Sequence, residues 1–325
     1  MWRLVRRRLF DAAIVVWLVG TLSFVLLHLA PGDPVSAVLT DARVAPAVRA
    51  QWRTDNALDQ PIATQYVRYV AALGQGHFGF SFSQYRPVAD ALRETLPYSL
   101  LLMGAALAGS ILLGTAVGVL QATRAGSPAD RRIAVAIGAV SAIPEAWLAL
   151  LVLGLFAAEL ALFPLSGRCN PARCGSAHGW RAVVDMVYHA ALPVLTLMLL
   201  YAPIFARVAR SALRGVLHDD VMRTATAKGV GAHRALVQHG MRRAARPLLN
   251  TIALSLPLLV GGTIFVERVF GWPGMGSLLV SAIGIRDYPL VTATALVGTL
   301  VVVAGSTLAD AANAWLDPRA SSAAP

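Results

Sequence analysis

The sequence has few charged residues for its length, and this scarcity argues against an ordinary soluble protein. Only 14% of its 325 residues are Asp, Glu, Lys or Arg, whereas soluble domains contain about a quarter. Hydrophobic residues make up 57% of the chain, and the mean hydropathy is +0.62. The net charge of +11 would suit nucleic-acid binding, but the basic residues lie between apolar runs rather than on a polar surface. The composition therefore favours a membrane protein.

Cysteine and lysine are also scarce. Cys169 and Cys174 are too few for a disulfide scaffold or a tetrahedral metal set, so we expect no metal site. The one lysine, Lys228, is followed by Gly229 and Val230, whereas a P-loop requires Gly-Lys-Ser/Thr to cradle phosphate. We therefore expect no ATPase site, no catalytic residue and no cofactor in this chain.

Long apolar segments predict an all-α membrane protein with six transmembrane helices. A span needs about 20 apolar residues. Qualifying segments lie at about 9–30, 98–121, 133–158, 187–206, 248–266 and 289–311. The first follows four arginines, but it is too long for a typical signal peptide and precedes Pro31-Gly32-Asp33-Pro34, a poor cleavage site. It is therefore interpreted as an uncleaved anchor.

The distribution of basic residues predicts that both termini are cytoplasmic. With that orientation, 17 of the 28 basic residues lie inside, and the others are spread over much more chain outside. The predicted organisation comprises a cytoplasmic start with the first span (1–30), a long extracytoplasmic helical segment (31–97), a five-helix core (98–318) with a large inner loop (207–247), and a cytoplasmic tail (319–325).

The outer segment contains two amphipathic patches. One begins near Pro46, with Val48, Trp52 and Leu58 on one face, and the other follows Pro61, with an apolar face of Tyr66, Tyr69, Val70 and Leu73. The segment is either a cap on the helix bundle or a docking surface for a soluble partner, and one structure can serve both purposes.

Cys169 and Cys174 fall in the second outer loop. The outside compartment is oxidising, and the intervening Asn170-Pro171-Ala172-Arg173 can turn the chain so that the two sulfurs meet. The sequence predicts a disulfide; free thiols are the alternative.

The inner loop predicts a helix–turn–helix. Asp219 or Asp220 can cap a short helix, and Gly229 can end it with a positive φ. A second helix is expected to stop at Pro247. A solvated basic loop attracted to anionic lipid is the alternative.

This loop resembles the coupling motif of ABC importer permeases, in which a Glu-Ala-Ala triplet precedes a glycine. Arg223-Thr224-Ala225 occupies the triplet position and Gly229 the glycine position, a variant similar to the dipeptide/oligopeptide/nickel subgroup. Thr226 departs from that subgroup, which often has Arg there. Further similar stretches follow in family order: Thr21–Pro34, Leu58–Pro61 with Gln65-Tyr66, Gly79–Ser83, and Glu267–Gly276 followed by Arg286–Pro289.

The resemblance implies a permease subunit in the bacterial cytoplasmic membrane that moves peptides by alternating access. Its expected partners are a second homologous permease, two cytoplasmic ATPase subunits that bind ATP and Mg, and an extracytoplasmic solute-binding protein. The residues expected to couple to the ATPase are Asp219, Asp220, Arg223, Thr224, Ala225, Lys228, Gly229, His239 and Pro247.

Three residues are candidates for the translocation path or its gate. Glu145 is an ionisable residue near the middle of a predicted span, where charge usually faces a cavity or a partner. It either meets a peptide amino group or a wet cavity, or pairs with an arginine or a polar group of the partner permease. Phe270 and Trp272 lie at the start of a predicted tight turn, Gly271–Gly276, and are candidate gate residues. By contrast, Ala106, Ser110, Gly114 and Gly118 form a small-residue stripe that predicts only close helix packing.

Other functions remain open on the sequence alone. The same machinery could carry nickel or glutathione-like solutes. A stand-alone secondary transporter would need intramembrane ion ligands and a repeat between halves, and neither is evident. A membrane assembly factor would not need a capped inner helix at this spacing.

Overall fold

A computed structural model of the protein describes residues 2–29, 47, 54, 60–81, 83–171, 174, 179–217 and 219–316. Most of these residues are helical. The chain divides into two compact units. One unit contains Trp2–Tyr98 and Gly274–Val303, and the other contains Ser99–Pro273 and the residues from Ala304 onward.

The unit that contains the N-terminal helix combines helices with one short hairpin. Helices α1 (Trp2–Leu29) and α2 (Ile62–Gly74) precede strands β1 (Phe80–Ser81) and β2 (Arg86–Pro87). The strands are antiparallel, with Ser81 opposite Arg86. The start of α3 (Val88–Thr123), α10 (Met275–Gly284) and the first part of α11 (Tyr288–Leu316) complete this unit. The all-α prediction thus missed the hairpin, whose turn depends on a positive φ of 52° at Tyr85.

Aromatic contacts attach α2 to α1. The hydroxyls of Thr21 and Tyr66 are hydrogen-bonded at 2.7 Å, and the Phe24 ring lies 5.3 Å from that of Tyr66 and 5.4 Å from that of Tyr69. The second predicted outer helix is confirmed, with Tyr66 and Tyr69 on its contacting face. The predicted helix at Pro46, Val48, Trp52 and Leu58 lies outside the described residues.

The hydrophobic core of this unit joins the start of α3 to α10 and α11. Val88, Ala91 and Leu92 pack with side chains of the other two helices that are equally buried, namely Met275, Leu278, Ala282, Leu290 and Ala293.

The other unit contains the remainder of α3 and the helices that carry the candidate sites. They are α4 (Pro128–Ala142), α5 (Glu145–Leu153) with a π-helical turn at Gly154–Glu159, α6 (Trp180–Leu217), α7 (Asp220–Ala227), α8 (Ala232–Ala235), a π-helical turn at Leu236–Met241, α9 (Arg242–Val269) and the end of α11. Its core joins α3, α6 and α9 through Ala122, Phe205, Ala209, Leu213, Ala244 and Leu248.

The small residues of α3 allow a close approach to α6. Ala106, Ser110, Gly114 and Gly118 are all buried. A Cβ atom on Gly114 would lie 2.4 Å from the carbonyl oxygen of Ala202, and one on Gly118 would lie 2.6 Å from that of Ala206. The predicted packing stripe is therefore confirmed, because only glycine at these two positions lets the backbones approach so closely.

The segment 133–158, predicted as one continuous span, is broken in the structure. Helices α4 and α5 (extended to Glu159) meet at a bend of 102°. Ile143 is extended (φ −77°, ψ 126°) because the ring of Pro144 disfavours helical geometry in the preceding residue. The bend places Glu145 in the first turn of α5 rather than inside an uninterrupted helix.

Four described helices are long and apolar enough to cross a membrane: Val88–Thr123, Trp180–Leu217, Arg242–Val269 and Tyr288–Ala314. The bent pair makes a fifth if its two arms form one span. In α1 the apolar stretch, Phe10–Leu26, is shorter. The described residues thus support a multi-pass protein with four or five spans, fewer than the six predicted.

Candidate functional site: the Asp220–Ala227 helix and the Glu145 carboxyl group

Asp219 fixes the start of α7. Its side-chain Oδ1 accepts a hydrogen bond from the backbone N–H of Asp220 at 2.7 Å, and its carbonyl oxygen accepts one from the N–H of Met222 at 3.0 Å. The other carboxylate oxygen accepts a hydrogen bond from the guanidinium of Arg243, at the start of α9. Asp219 therefore lies directly before the helix and also ties it to α9.

Gly229 lies just beyond the end of α7. The N–H of Lys228 donates to the carbonyl of Thr224 at 3.0 Å, and Gly229 then adopts φ +79°. This confirms the predicted backbone conformation, which non-glycine residues adopt at a cost. Among the described residues, a Cβ atom on Gly229 would meet nothing within 4 Å. Its backbone conformation, and no crowding by those residues, thus constrains the position.

One face of α7 packs on the protein. Met222 is 6% exposed and clusters with the fully buried Ala235 of α8, against Val216, Leu217 and Val230. Asp220, Thr224, Ala227 and Lys228 are exposed. At 3.6 residues per turn these exposed residues form a single stripe opposite Met222. The helix is therefore held on one side and presents its other side outward.

The remaining predicted coupling residues lie on the same loop. Arg223 and Ala225 are in α7, and His239 is in the π-helical turn Leu236–Met241. The predicted helix end at Pro247 is wrong, because α9 runs through that residue from Arg242 to Val269. Proline loses one backbone hydrogen bond, but its φ is compatible with a helix, and membrane helices tolerate such residues.

Glu145 lies among side chains of two other helices. The Tyr201 hydroxyl of α6 lies 2.4 Å from the point where a Cβ on Gly262 would stand, and Oε1 of Glu145 lies 2.7 Å from the same point. The Tyr201 hydroxyl donates to the carbonyl of Leu258 at 2.6 Å. Glu145, Tyr201 and Gly262 thus meet where α5, α6 and α9 come together.

Phe270 and Trp272 are buried, at 2% and 0% exposure. The predicted turn over Gly271–Gly276 is confirmed only at its start, because Met275 and Gly276 already belong to α10. Gly271 has φ +59°, and the N–H of Trp272 donates to the carbonyl of Glu267 at 2.8 Å. The carbonyl of Phe270 also accepts a hydrogen bond from the N–H of Gly167 at 3.0 Å. In this conformation both aromatic rings are enclosed, so contact with a passing solute would require the turn to move.

Cys169 and Cys174 are joined by a disulfide, with Cα atoms 5.6 Å apart. Between them, the N–H of Cys174 donates to the carbonyl of Asn170 at 2.8 Å. The N–H of Asn170 in turn donates to the Asp185 carboxylate at 2.8 Å, which ties this loop to α6.

Sequence reasoning missed a polar cluster around Asp130, which is 2% exposed. Its carboxylate accepts hydrogen bonds from Arg210 of α6 at 2.6 Å, from Gln121 of α3 at 3.2 Å and from the N–H of Gly126 at 3.1 Å. The Asp130 N–H donates to the Ser127 hydroxyl at 3.2 Å, which caps α4. The Ser127-Pro128-Ala129-Asp130 capping sequence could have identified the local part of this cluster.

A second missed carboxylate, Asp287, is 3% exposed and precedes α11. One of its oxygens accepts hydrogen bonds from the hydroxyls of Ser81 and Ser83, both at 2.6 Å, and from the N–H of Ser83 at 3.1 Å. Asp287 thereby ties the hairpin to the start of α11.

Comparison with known proteins identifies the family. The family model "Binding-protein-dependent transport system inner membrane component" matches residues 110–322, more than half of the chain. The N-terminal model of the same kind of component matches residues 1–103. The chain belongs to this family. It is a permease subunit of an ABC importer and a multi-pass inner-membrane protein, and the ATPase is a separate component.

Two relatives cover nearly the whole permease. It is 32% identical over 317 residues to the oligopeptide transport system permease protein AppB of Bacillus subtilis, covering 97% of this chain and 98% of AppB. It is 33% identical over 322 residues to the glutathione transport system permease protein GsiC of Escherichia coli K12, covering 98% of each chain.

A solved structure shares the fold of the permease. It is an inward-facing conformation of the MetNI methionine ABC transporter, with a TM-score of 0.52 and 18% sequence identity. The match covers 68% of this chain and 95% of that one. At this identity the likeness supports the helical fold and no further property.

Proposed function

We propose that the permease moves peptides across the cytoplasmic membrane by alternating access, driven by separate ATPase subunits that contact α7. The observation that supports this most is the geometry of α7. One face of the helix is fixed through Met222, Asp219 is paired with Arg243, and the opposite stripe is exposed. A helix held in this way can transmit a push or a pull to α6 and α9, because it is attached to both.

The complete importer that we propose contains this chain, a second homologous permease, two ATPases that bind ATP and Mg, and a solute-binding protein outside. The chain itself has six spans, both termini in the cytoplasm and a long first outer segment. The basic inner segments favour this orientation, and α1 supplies the first span despite its shorter apolar stretch.

Cross-linking tests the proposed contact. Because Cys169 and Cys174 are bonded to each other, a single introduced cysteine supplies the only free thiol. We expect Thr224→Cys and Lys228→Cys, both on the exposed stripe, to cross-link to the ATPase. Arg124→Cys, an exposed residue between α3 and α4, is the matched control. Cross-linking no better than this control would contradict the proposal.

Substitution of Gly229 separates backbone strain from loss of the partner contact. We expect Gly229→Val to fold but to hydrolyse ATP without transport, because a β-branched residue resists φ +79° and shifts α7. Gly229→Asn tolerates this φ and should retain more uptake. Gly231→Val, where a Cβ atom also meets open space, is the control. Wild-type uptake by Gly229→Val at normal expression would reject the coupling role.

Peptides are the proposed solutes because AppB is named as an oligopeptide permease and GsiC as a glutathione permease. Glutathione-like compounds or nickel complexes are the alternatives within the same machinery. An uptake panel of dipeptides, longer peptides, glutathione and nickel, in vesicles containing the complete importer, distinguishes them. Uptake that persists with catalytically inactive ATPase subunits would instead support a secondary transporter.

A further inference from the structure

The Glu145 carboxyl group has an unmet hydrogen-bonding requirement. Its Oε1 atom is buried, and no donor among the described residues reaches it. The residue as a whole is partly buried. Leaving a carboxyl oxygen unpaired in a buried environment is costly, and intramembrane carboxylates usually meet a cation or a cavity.

The neighbouring Tyr201 cannot satisfy that carboxylate with its own proton. Its hydroxyl donates to the carbonyl of Leu258 at 2.6 Å, and a tyrosine hydroxyl has only one proton to donate. The Tyr201 oxygen therefore faces the carboxylate as a second acceptor. Both oxygens pack closely against Gly262, where a Cβ atom would lie 2.4 Å from one and 2.7 Å from the other. When the carboxyl group is ionised, these two converging acceptors require a donor from elsewhere.

We propose that Glu145 and Tyr201 bind the ammonium group of the solute during its passage. This inference rests on the proposed peptide-import function and names the solute group that the site recognises. An alkylammonium carries three N–H donors and one positive charge, which match a carboxylate and a phenolic oxygen. The break at Pro144 places the carboxyl group in the first turn of α5, and the absence of a side chain on Gly262 lets both oxygens converge there.

The test uses the complete importer in vesicles, with a peptide that has a free amino terminus and the same peptide N-acetylated. Both are supplied at saturating concentration, so that the external binding protein affects the variants equally. We expect Glu145→Gln to lower the maximal uptake rate of the free-amine peptide about tenfold, because the variant loses one charge-assisted hydrogen bond to the ammonium group. Uptake of the acetylated peptide should stay at its wild-type rate, and so should the KM of the free-amine peptide.

Two further variants make the result decisive. Glu159→Gln removes an exposed carboxylate from the same segment and should change neither rate. Tyr201→Phe should lower the free-amine rate in the same direction but by less, and it decides the question if Glu145→Gln fails to assemble.

Equal losses for both peptides, or no loss for either, would overturn the ammonium site and leave a protonated or purely structural carboxyl group in its place. Failure of the import function itself would look different, because the wild-type importer would then show no ATP-dependent uptake of either peptide.

Discussion

The contact between α3 and α6 provides the sharpest test of the fold, through Gly114→Ala and Gly118→Ala. A Cβ atom at position 114 would lie 2.4 Å from the Ala202 carbonyl and 2.7 Å from Cβ of Phe205. At position 118 it would lie 2.6 Å from the Ala206 carbonyl and 2.6 Å from Cβ of Ala209. Ordinary contacts begin near 3.4 Å. The obstructing atoms belong to the backbone or are Cβ atoms, so no side chain can rotate away.

The helices must therefore separate by about 1 Å, and overpacking of this kind costs about 1–3 kcal/mol. That cost corresponds to a fall in melting temperature of roughly 2–10 °C. The two glycines lie one helical turn apart, so one separation of α3 from α6 relieves both clashes. The double variant should consequently lose less stability than the two single variants combined.

Thermal unfolding in detergent, followed by the fluorescence of the 7 tryptophans, measures these losses. Gly104→Ala is the matched control in the same helix, because a Cβ atom there meets no described atom within 4 Å. We expect it to melt at or slightly above the wild-type temperature, since alanine favours a helix over glycine by about 1 kcal/mol. If Gly114→Ala and Gly118→Ala melted at the same temperature as this control, the close contact between α3 and α6 would be refuted.

Three further predictions follow from the polar contacts. Asp130→Asn should lower the melting temperature, because Arg210 loses its charged partner inside the protein. Asp90→Asn, at an exposed pair with Arg93, is the control and should leave the melting temperature unchanged. Equal melting temperatures for the two variants would contradict this prediction. Asp287→Asn should speed chymotryptic cleavage after the exposed Tyr85, because the hydrogen bonds from the Ser81 and Ser83 hydroxyls that hold the hairpin are weakened. An unaltered cleavage rate would argue against this role of Asp287. Mass spectrometry after alkylation should find no reactive thiol at Cys169 or Cys174 until a reductant is added, and two alkylated thiols in the unreduced protein would reject the disulfide.

Local chemistry was predictable from the sequence wherever it depends on one short segment. The positive φ of Gly229 followed from the need to end a short helix, and the packing stripe at Gly114 and Gly118 followed from four-residue spacing. Asp219 or Asp220 was expected to cap this helix, and Asp219 lies directly before it and accepts a hydrogen bond from the Asp220 N–H.

Features that join distant segments were not predictable in the same way. Asp130 and Arg210 are 80 residues apart, and Asp287 and Ser81 are 206 residues apart. No periodicity connects such pairs. The predictions at two prolines were wrong in opposite directions, because the segment through Pro144, predicted as one span, bends, whereas the helix expected to stop at Pro247 continues. The local preference of proline is the same at both positions, and tertiary packing decides the outcome.

The length of α6 has a mechanical consequence. Its 38 residues, at 1.5 Å each, measure about 57 Å, nearly twice the hydrocarbon thickness of about 30 Å. Pro193 and Pro203 lie inside it; where the helix nevertheless moves as one body, a tilt of about 10° around its middle carries each end sideways by about 5 Å. Tyr201 and Arg210 both lie on this helix, which leads into the segment that holds α7. A displacement of a few ångströms at one end would therefore reach the other end with little gain or loss in amplitude.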